Sequence, residues 1–231
     1  MKVVISGYGR MGKMVKQVLL QRGVECAGAS EDITDFDPSI AVDCVCVDFT
    51  TPDAFRKNYK SLADNFKAVV VGTTGWYDIL PEVRDYFAKR GKTLIYSSNF
   101  SVGVNILFKM TEIMSRLTSA FGGYACDIKE IHHIHKLDKP SGTAKTLADI
   151  VEGACGVRPE IESVREGEVP GIHSVDFHCD VDRINLTHEA FSREGFAQGA
   201  VQAALMTEGV SGVHEFRDLI NDKFNSIISS K

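Results

Sequence analysis

The chain has 231 residues, 44% hydrophobic and 25% charged, with a formal net charge of −5. That length buries a substantial core as one domain or two, and the composition excludes disordered, collagen-like and coiled-coil classes. The mildly acidic balance argues against nucleic acid and membrane surfaces as partners, and no apolar run approaches the roughly 18–20 residues of a membrane span.

The apolar stretch Val3-Val4-Ile5 is shorter than the core of a signal peptide, which needs at least about 7 residues. The six cysteines form no C-x-x-C pair, and most sit in apolar runs. The expectation is a cytoplasmic protein with reduced, buried cysteines.

In chain order, Val3–Ser6 reads as a strand and Met11–Gln21 as a helix, with Met11, Met14, Val15, Val18 and Leu19 at helical spacing. Val24–Ala29 and the valine- and cysteine-rich run Ala41–Phe49 read as strands. Pro52–Leu62 follows as a helix, with Thr51 as its cap. Ala68–Val71 and Thr93–Tyr96 are further strands, separated by a helix over Pro81–Lys89. Continuous apolar strands alternating with helices specify βαβ units and a parallel sheet. Small or polar residues follow each strand: Gly7-Tyr8-Gly9, Ser30-Glu31, Asp48-Phe49-Thr50, Gly72-Thr73-Thr74-Gly75 and Ser97-Ser98-Asn99. In an open α/β sheet those positions line the ligand crevice.

The pattern then changes. Val104–Phe121 is a long amphipathic helix, Cys126–Ile131 a strand, Thr143–Cys155 a helix, and Ser174–Cys179 and Arg183–Thr187 strands. Phe196–Met206 is an alanine-rich helix, and Glu215–Ile228 a helix expected to return to the first domain. The expected fold class is α/β, a Rossmann-type parallel sheet domain (residues 1–101 and 211–231) plus an α+β domain with a mixed sheet (residues 102–210).

Gly7-x-Gly9-x-x-Gly12 lies between the first strand and the first helix. Gly7 permits a tight turn, Gly9 lets backbone approach a pyrophosphate, and Gly12 allows close helix–strand packing. Glu31 ends the second strand about 20 residues on, where an acid takes ribose hydroxyls. The reading is a dinucleotide site. Asp32 beside Glu31 favours NADH over NADPH on charge grounds, while Arg10 could meet a 2′-phosphate. The plain alternatives are a glycine turn without ligand and a solvated acid.

The densest chemistry is Glu130-Ile131-His132-His133-Ile134-His135-Lys136-Leu137-Asp138-Lys139-Pro140-Ser141-Gly142-Thr143, which holds three of the seven histidines. A strand enters it and a helix leaves at Thr143, capped by Ser141 or Thr143. A helix start suits a carboxylate, lysine adds positive charge, and histidine supplies a proton near neutral pH. Together they read as a site that binds and protonates an anionic substrate. A histidine metal site, structural histidines and a mere helix cap are the competing readings; no acid or cysteine stands at a usual ligand spacing, so no metal is expected.

These motifs resemble the 4-hydroxy-tetrahydrodipicolinate (dihydrodipicolinate) reductase family. The resemblance rests on Gly9-Arg10-Met11-Gly12, Asp48-Phe49-Thr50, Gly72-Thr73-Thr74-Gly75 and Asn99-Phe100-Ser101-Val102-Gly103-Val104-Asn105. Glu130-x-His132-His133-x-x-Lys136-x-Asp138-x-Pro140-Ser141-Gly142-Thr143-Ala144 and Gly171-x-His173-x-Val175-x-Phe177 carry it further, with Thr187-His188-x-Ala190 and Phe196-Ala197-x-Gly199-Ala200 after them. It implies reduction of a cyclic imine dicarboxylate by NADH or NADPH, with loss of water, in lysine and diaminopimelate biosynthesis. His132 would donate the proton and Lys136 would assist and hold a carboxylate. His133, Ser141, Gly142 and Thr143 would bind substrate. Gly7, Tyr8, Gly9, Arg10, Met11, Gly12, Glu31, Gly72, Thr73, Thr74, Ser97, Ser98, Asn99 and Phe100 would contact the cofactor. It also implies a homotetramer assembled through the second domain's sheet, with a hinge between domains. A segment that many members carry before Gly171-x-His173 is absent. The rival functions are a non-catalytic NAD-binding regulator and a metal hydrolase using His132, His133 and His135.

Overall fold

The computed structural model describes residues 1–229. They form two compact units, one of residues 1–101 with 196 onward, the other of residues 102–195.

The first unit is built on β1 (Lys2–Ser6), β2 (Glu25–Ser30), β3 (Cys44–Asp48), β4 (Ala68–Val71), β5 (Thr93–Tyr96) and β10 (Val213–Glu215). Its helices are α1 (Arg10–Gln21), α2 (Pro38–Ala41), α3 (Pro52–Asn65), α4 (Leu80–Lys89), α7 (Glu194–Met206) and α8 (Phe216–Ser229), the first two residues of α7 falling in the other unit. The sheet runs β10-β5-β4-β3-β1-β2, parallel throughout. Cys-Val-Cys-Val-Asp and Ala-Val-Val-Val are buried along their whole length, as strands covered on both faces must be. After β2 the chain crosses to the other side of β1, so the crevice opens between the ends of β1 and β3.

The expected strand over Ala41–Phe49 is shorter at its start. The Asp37 carboxylate accepts from Ser39 N at 2.8 Å and Pro38 opens a helical turn, so β3 begins only at Cys44. α3 starts as expected, with Thr51 Oγ1 accepting from Ala54 N at 3.2 Å. β10 has three residues, too few for any periodicity to reveal, and it pairs with β5. The sequence places residues 102–210 in the second domain, whereas α7 from Phe196 belongs to the first unit. The reason is steric and polar: a Cβ at Gly199 would stand 1.6 Å from the Phe100 carbonyl oxygen, and Arg22 donates to Gln202 Oε1 at 3.1 Å.

The second unit holds α5 (Val102–Phe121), β6 (Ala125–His132), α6 (Gly142–Cys155), β7 (Glu160–Arg165), β8 (Ile172–His178) and β9 (Arg183–Glu189). The sheet order is β7-β6-β8-β9, with β6 and β7 parallel and the other pairs antiparallel. β7 was not anticipated, because Glu-Ile-Glu-Ser-Val-Arg carries little apolar signal. One sheet face packs Ile128, Val175 and Phe177 against Leu107, Leu147 and Val151 of the two helices. The other carries charges, among them Lys129 paired with Glu162 at 2.9 Å and Asp127 with His178 at 2.9 Å. Among the described residues no helix is long and apolar enough to cross a membrane.

Candidate active site

In the first unit, the strand ends are stitched together before any ligand is considered. Gly7 N donates to Ser30 O, Phe49 N to Ser6 O and Gly72 N to Asp48 O, at 2.8–2.9 Å. Gly7 has φ +86°, and a Cβ there would lie 2.4 Å from the Phe49 carbonyl oxygen. A Cβ at Gly12 would stand 2.1 Å from Gly7 O, and one at Gly72 would stand 2.1 Å from the Phe49 ring. Gly9 is the cap residue of α1 and has open space where a Cβ would go. This is a cradle of backbone at a helix start, open on the side where a pyrophosphate would lie, so the residues fit a dinucleotide.

Asp48 lies beneath this cradle, 1% exposed. Its carboxylate accepts from Ser6 Oγ at 2.7 Å, Thr73 Oγ1 at 2.6 Å and Thr50 Oγ1 at 3.1 Å. Burial pushes its carboxyl above the ordinary aspartate value, and those three hydroxyls work against the rise. Thr73 therefore serves as a tie between strand ends, and also accepts from Thr50 N at 2.8 Å.

Met11, Gly72, Ser97, Ser98, Asn99 and Phe100 line one pocket of about 200 Å³ together with Phe49 and Phe196. Ser97 Oγ donates to Asn99 O at 2.8 Å, which holds that turn in shape. Thr74, Arg10 and Glu31 are exposed, and Tyr8 is half-buried with Lys16 Nζ 5.5 Å from its ring centre. Asp32 is occupied locally, accepting from Thr34 N at 3.1 Å and Thr34 Oγ1 at 2.6 Å, bonds that hold its carboxyl below the usual range. Asp48 and Phe49 stand in a strand-end run that the sequence places along the crevice, and Phe196 opens one of the motifs that carry the family resemblance, but the sequence assigns none of the three a role.

In the second unit, the alternation of β6 places Ile128, Glu130 and His132 on the helix-covered face. In register with Glu130 stand Ser163 on β7 and His173 on β8, and His188 on β9 faces His173. The apolar face of the sheet thus turns ionisable at one end. His132 Nδ1 pairs with Glu130 Oε2. Glu130 Oε1 accepts from Arg165 Nη1 at 3.0 Å and from Ser141 N at 3.3 Å. Burial pushes the Glu130 carboxyl up, but hydrogen bonds from Ser163 and Arg165 and the nearby His132 outweigh it and hold it below the usual value. Burial pulls the His132 imidazole below its ordinary pKa, opposed by Glu130. His173, edge-on to His132 with ring centres 4.9 Å apart, is pulled down by burial to about 3 and stays neutral.

Ser141 Oγ caps α6, accepting from Ala144 N at 3.2 Å, and also meets His173 Nε2 at 3.2 Å. Gly142 and Thr143 form the opening turn of that helix. Lys136 Nζ contacts Asp138 Oδ1 at 2.6 Å. Arg165 braces this loop, donating from Nε to Lys136 O at 3.2 Å and from Nη2 to Asp138 O at 2.5 Å. His133 is half-buried and its N donates to Val169 O at 2.8 Å, while the exposed His135 reaches Glu168 at 3.3 Å.

The histidine trio of the hydrolase alternative does not converge. Among the described residues, the one set of three ligand-type groups with atoms within 4.8 Å of one another is Glu130, His132 and His173. There Glu130 Oε1 is already taken by Arg165 and the Ser141 backbone, and Glu130 Oε2 is paired with His132 itself. The second unit therefore gathers His132, Lys136, Ser141 and the α6 start, and adds Glu130, Arg165 and His173, which sequence reasoning did not assign roles. Arg165 and Glu130 were hidden because their partnership links β6 to the unanticipated β7.

Residues 1–100 match the family model described as dihydrodipicolinate reductase, N-terminus, and residues 103–220 match dihydrodipicolinate reductase, C-terminus. The chain is 36% identical to the 4-hydroxy-tetrahydrodipicolinate reductase of Christiangramia forsetii, over 98% of this chain and 100% of that protein. It is 35% identical to the enzyme of the same name from Akkermansia muciniphila, over 94% and 97% of the two chains. Among solved structures, the dipicolinate-bound dihydrodipicolinate reductase of Paenisporosarcina sp. TG-14 shares the fold with a TM-score of 0.77, at 20% identity over 93% of this chain and 97% of that one.

Proposed function

The chain belongs to the dihydrodipicolinate reductase family, an NAD(P)H-dependent oxidoreductase of lysine and diaminopimelate biosynthesis, and from that premise we propose which of its residues carry the reaction. It reduces 4-hydroxy-tetrahydrodipicolinate to tetrahydrodipicolinate, with loss of water. His132 is the proton donor. Lys136 assists it and, with the opening turn of α6 at Ser141, Gly142 and Thr143 and with His133, holds the two substrate carboxylates. The observation that carries this reading is the buried His132, in a unit that also supplies an ammonium and a helix start on an otherwise acidic chain.

The physics runs in one direction. A reduced nicotinamide supplies the hydride when bound. Hydride addition leaves negative charge on the substrate, which a positioned acid must quench. A doubly negative ring leaving water loses hydration that charged and N–H donors must replace. Lys136 exchanges its Asp138 partner for a substrate carboxylate.

In the first unit, Gly7, Tyr8, Gly9, Arg10, Met11 and Gly12 hold the pyrophosphate half of the dinucleotide. Glu31 takes the ribose hydroxyls, and Gly72, Thr73, Thr74, Ser97, Ser98, Asn99 and Phe100 line its nicotinamide end. We place the protein in the cytoplasm as a homotetramer built on the charged, uncovered face of the second sheet. Light scattering that returned a monomer would remove the last point.

The test is oxidation of NADH and NADPH by the purified protein, with substrate made in situ by the synthase reaction that precedes it. Absence of oxidation above the synthase-free control overturns the reading. Asp32 beside Glu31 repels a 2′-phosphate, so NADH is the better cofactor by kcat/KM. Asp32→Arg shifts the NADH-to-NADPH ratio toward NADPH by about tenfold, the effect of about 1.4 kcal/mol. An unchanged ratio would remove Asp32 from cofactor choice.

Pyridine-2,6-dicarboxylate, a planar relative of the substrate, competes with it in the wild type. In Lys136→Ala its inhibition constant rises by at least about 10-fold, the loss of a charge-assisted contact. Equal inhibition of both proteins would reject the carboxylate role.

A further inference from the structure

Position 130 breaks the rule of its own strand. Cys126 and Ile128, its predecessors on the same face, pack in the apolar core of the second unit. Two residues on, that face carries a carboxylate with no exposed side-chain surface. Burying an ion costs several kcal/mol unless every lone pair is met. Here one oxygen is met by Arg165 and the Ser141 backbone, and the other is turned to the His132 ring. Arg165 balances the charge, so Glu130 stays ionised beside the imidazole.

We propose that Glu130 is the positioning residue for His132, holding hydrogen on Nδ1 so that Nε2 is the atom that delivers the proton to substrate. This rests on His132 being the proton donor. An imidazole fixed at one nitrogen presents the other in a set direction and tautomer, as ligating and catalytic histidines do when a carboxylate backs them. The far side of the ring agrees. Gly171 packs against it with φ +156°, and a Cβ there would lie 3.0 Å from His132 Nε2. The glycine keeps that nitrogen uncrowded.

The carboxylate also sets when the ring can give a proton. Burial, Lys136 and Arg165 all favour the neutral ring, and Glu130 is what opposes them. His173 on β8, with His188 opposite it on β9, is itself kept neutral by burial and does not compete for the proton. Ser141 at the start of α6 contributes a hydroxyl and a backbone N–H, and no charge.

The experiment compares Glu130→Gln and Glu130→Ala with the wild type in the full chain. In the free wild-type protein, long-range nitrogen–proton NMR places the hydrogen of neutral His132 on Nδ1. Glu130→Gln loses the charge and keeps one acceptor oxygen in place of two. Its kcat near neutral pH falls by about 10–100-fold with KM for the dicarboxylate nearly unchanged, the usual worth of a partner behind a histidine. The alkaline limb of its kcat profile moves to lower pH, and activity recovers in part as the pH is lowered. Glu130→Ala loses the tautomer preference as well and does not recover. Thermal melting and NADH titration report whether each variant is folded. A wild-type ring with hydrogen on Nε2 overturns the proposal. So does a Glu130→Gln variant whose limb stays in place, or wild-type activity that falls on treatment with a chelator. If the wild type oxidises no NADH, the functional reading fails, while the NMR result still decides whether Glu130 sets the ring.

Discussion

Replacing His132 by alanine lowers kcat by about 10²–10⁴-fold, the usual contribution of a general acid, while NADH affinity stays within about twofold. The split follows from the chain's own division. The glycine turn, Asp48 and the Ser97–Phe100 segment are in one unit, and His132 is in the other. A variant at position 132 therefore leaves the dinucleotide cradle untouched. It removes the proposed proton source, which is 7% exposed and which bulk water cannot replace in the same geometry.

The sign of the pH dependence also follows. A donor works only when protonated, and burial has pulled the His132 pKa below its ordinary value. Wild-type kcat should therefore decline as pH rises through a pKa on the acid side of free histidine. Stopped-flow or steady-state rates at saturating NADH measure both effects. Turnover in His132→Ala equal to the wild type's would show that the proton comes from elsewhere.

What the sequence disclosed and what it concealed divide along physical lines. Continuous valine runs reveal buried parallel strands because both faces are covered, and β1, β3, β4 and β5 were legible for that reason. The glycine turn was legible because three glycines at that spacing between a strand and a helix have few other uses. His132, Lys136 and Ser141 were legible because they crowd one segment. Glu130 and Arg165 were not. They are 35 residues apart, and only the pairing of β6 with β7 brings them together. β7 itself alternates in charge more than in hydrophobicity, and so gave no strand signal. The limit of α7's allegiance was similarly hidden, since an alanine-rich helix packs equally well on either neighbour by composition. A contact between the Phe100 carbonyl and Gly199 decides it. Local chemistry was readable; chemistry assembled across strands was not.

Gly12→Ala should remove NADH binding by at least about tenfold and cost about 1–3 kcal/mol of stability, the range for forcing atoms into a packed site. The obstacle is backbone. A Cβ would sit 2.1 Å from the Gly7 carbonyl oxygen and 3.2 Å from Ile5 Cγ2, and neither lies at the end of a flexible side chain. α1 must retreat from β1 to admit it, and its first turn then leaves the position where phosphate oxygens would meet backbone N–H groups. Gly9→Ala separates the two consequences. At Gly9, φ is −74° in an extended conformation, and among the described residues nothing beyond its chain neighbours lies within 4 Å of a new Cβ. Stability should fall by less than about 1 kcal/mol, the difference between glycine and alanine at a helix cap. NADH affinity should still drop, because the added methyl occupies the open space where the proposed site places the pyrophosphate. Thermal melts and fluorescence titration with NADH distinguish the pair. Unaltered NADH binding in Gly9→Ala would mean that the pyrophosphate does not approach this turn, and the cofactor would have to be sought elsewhere on the sheet.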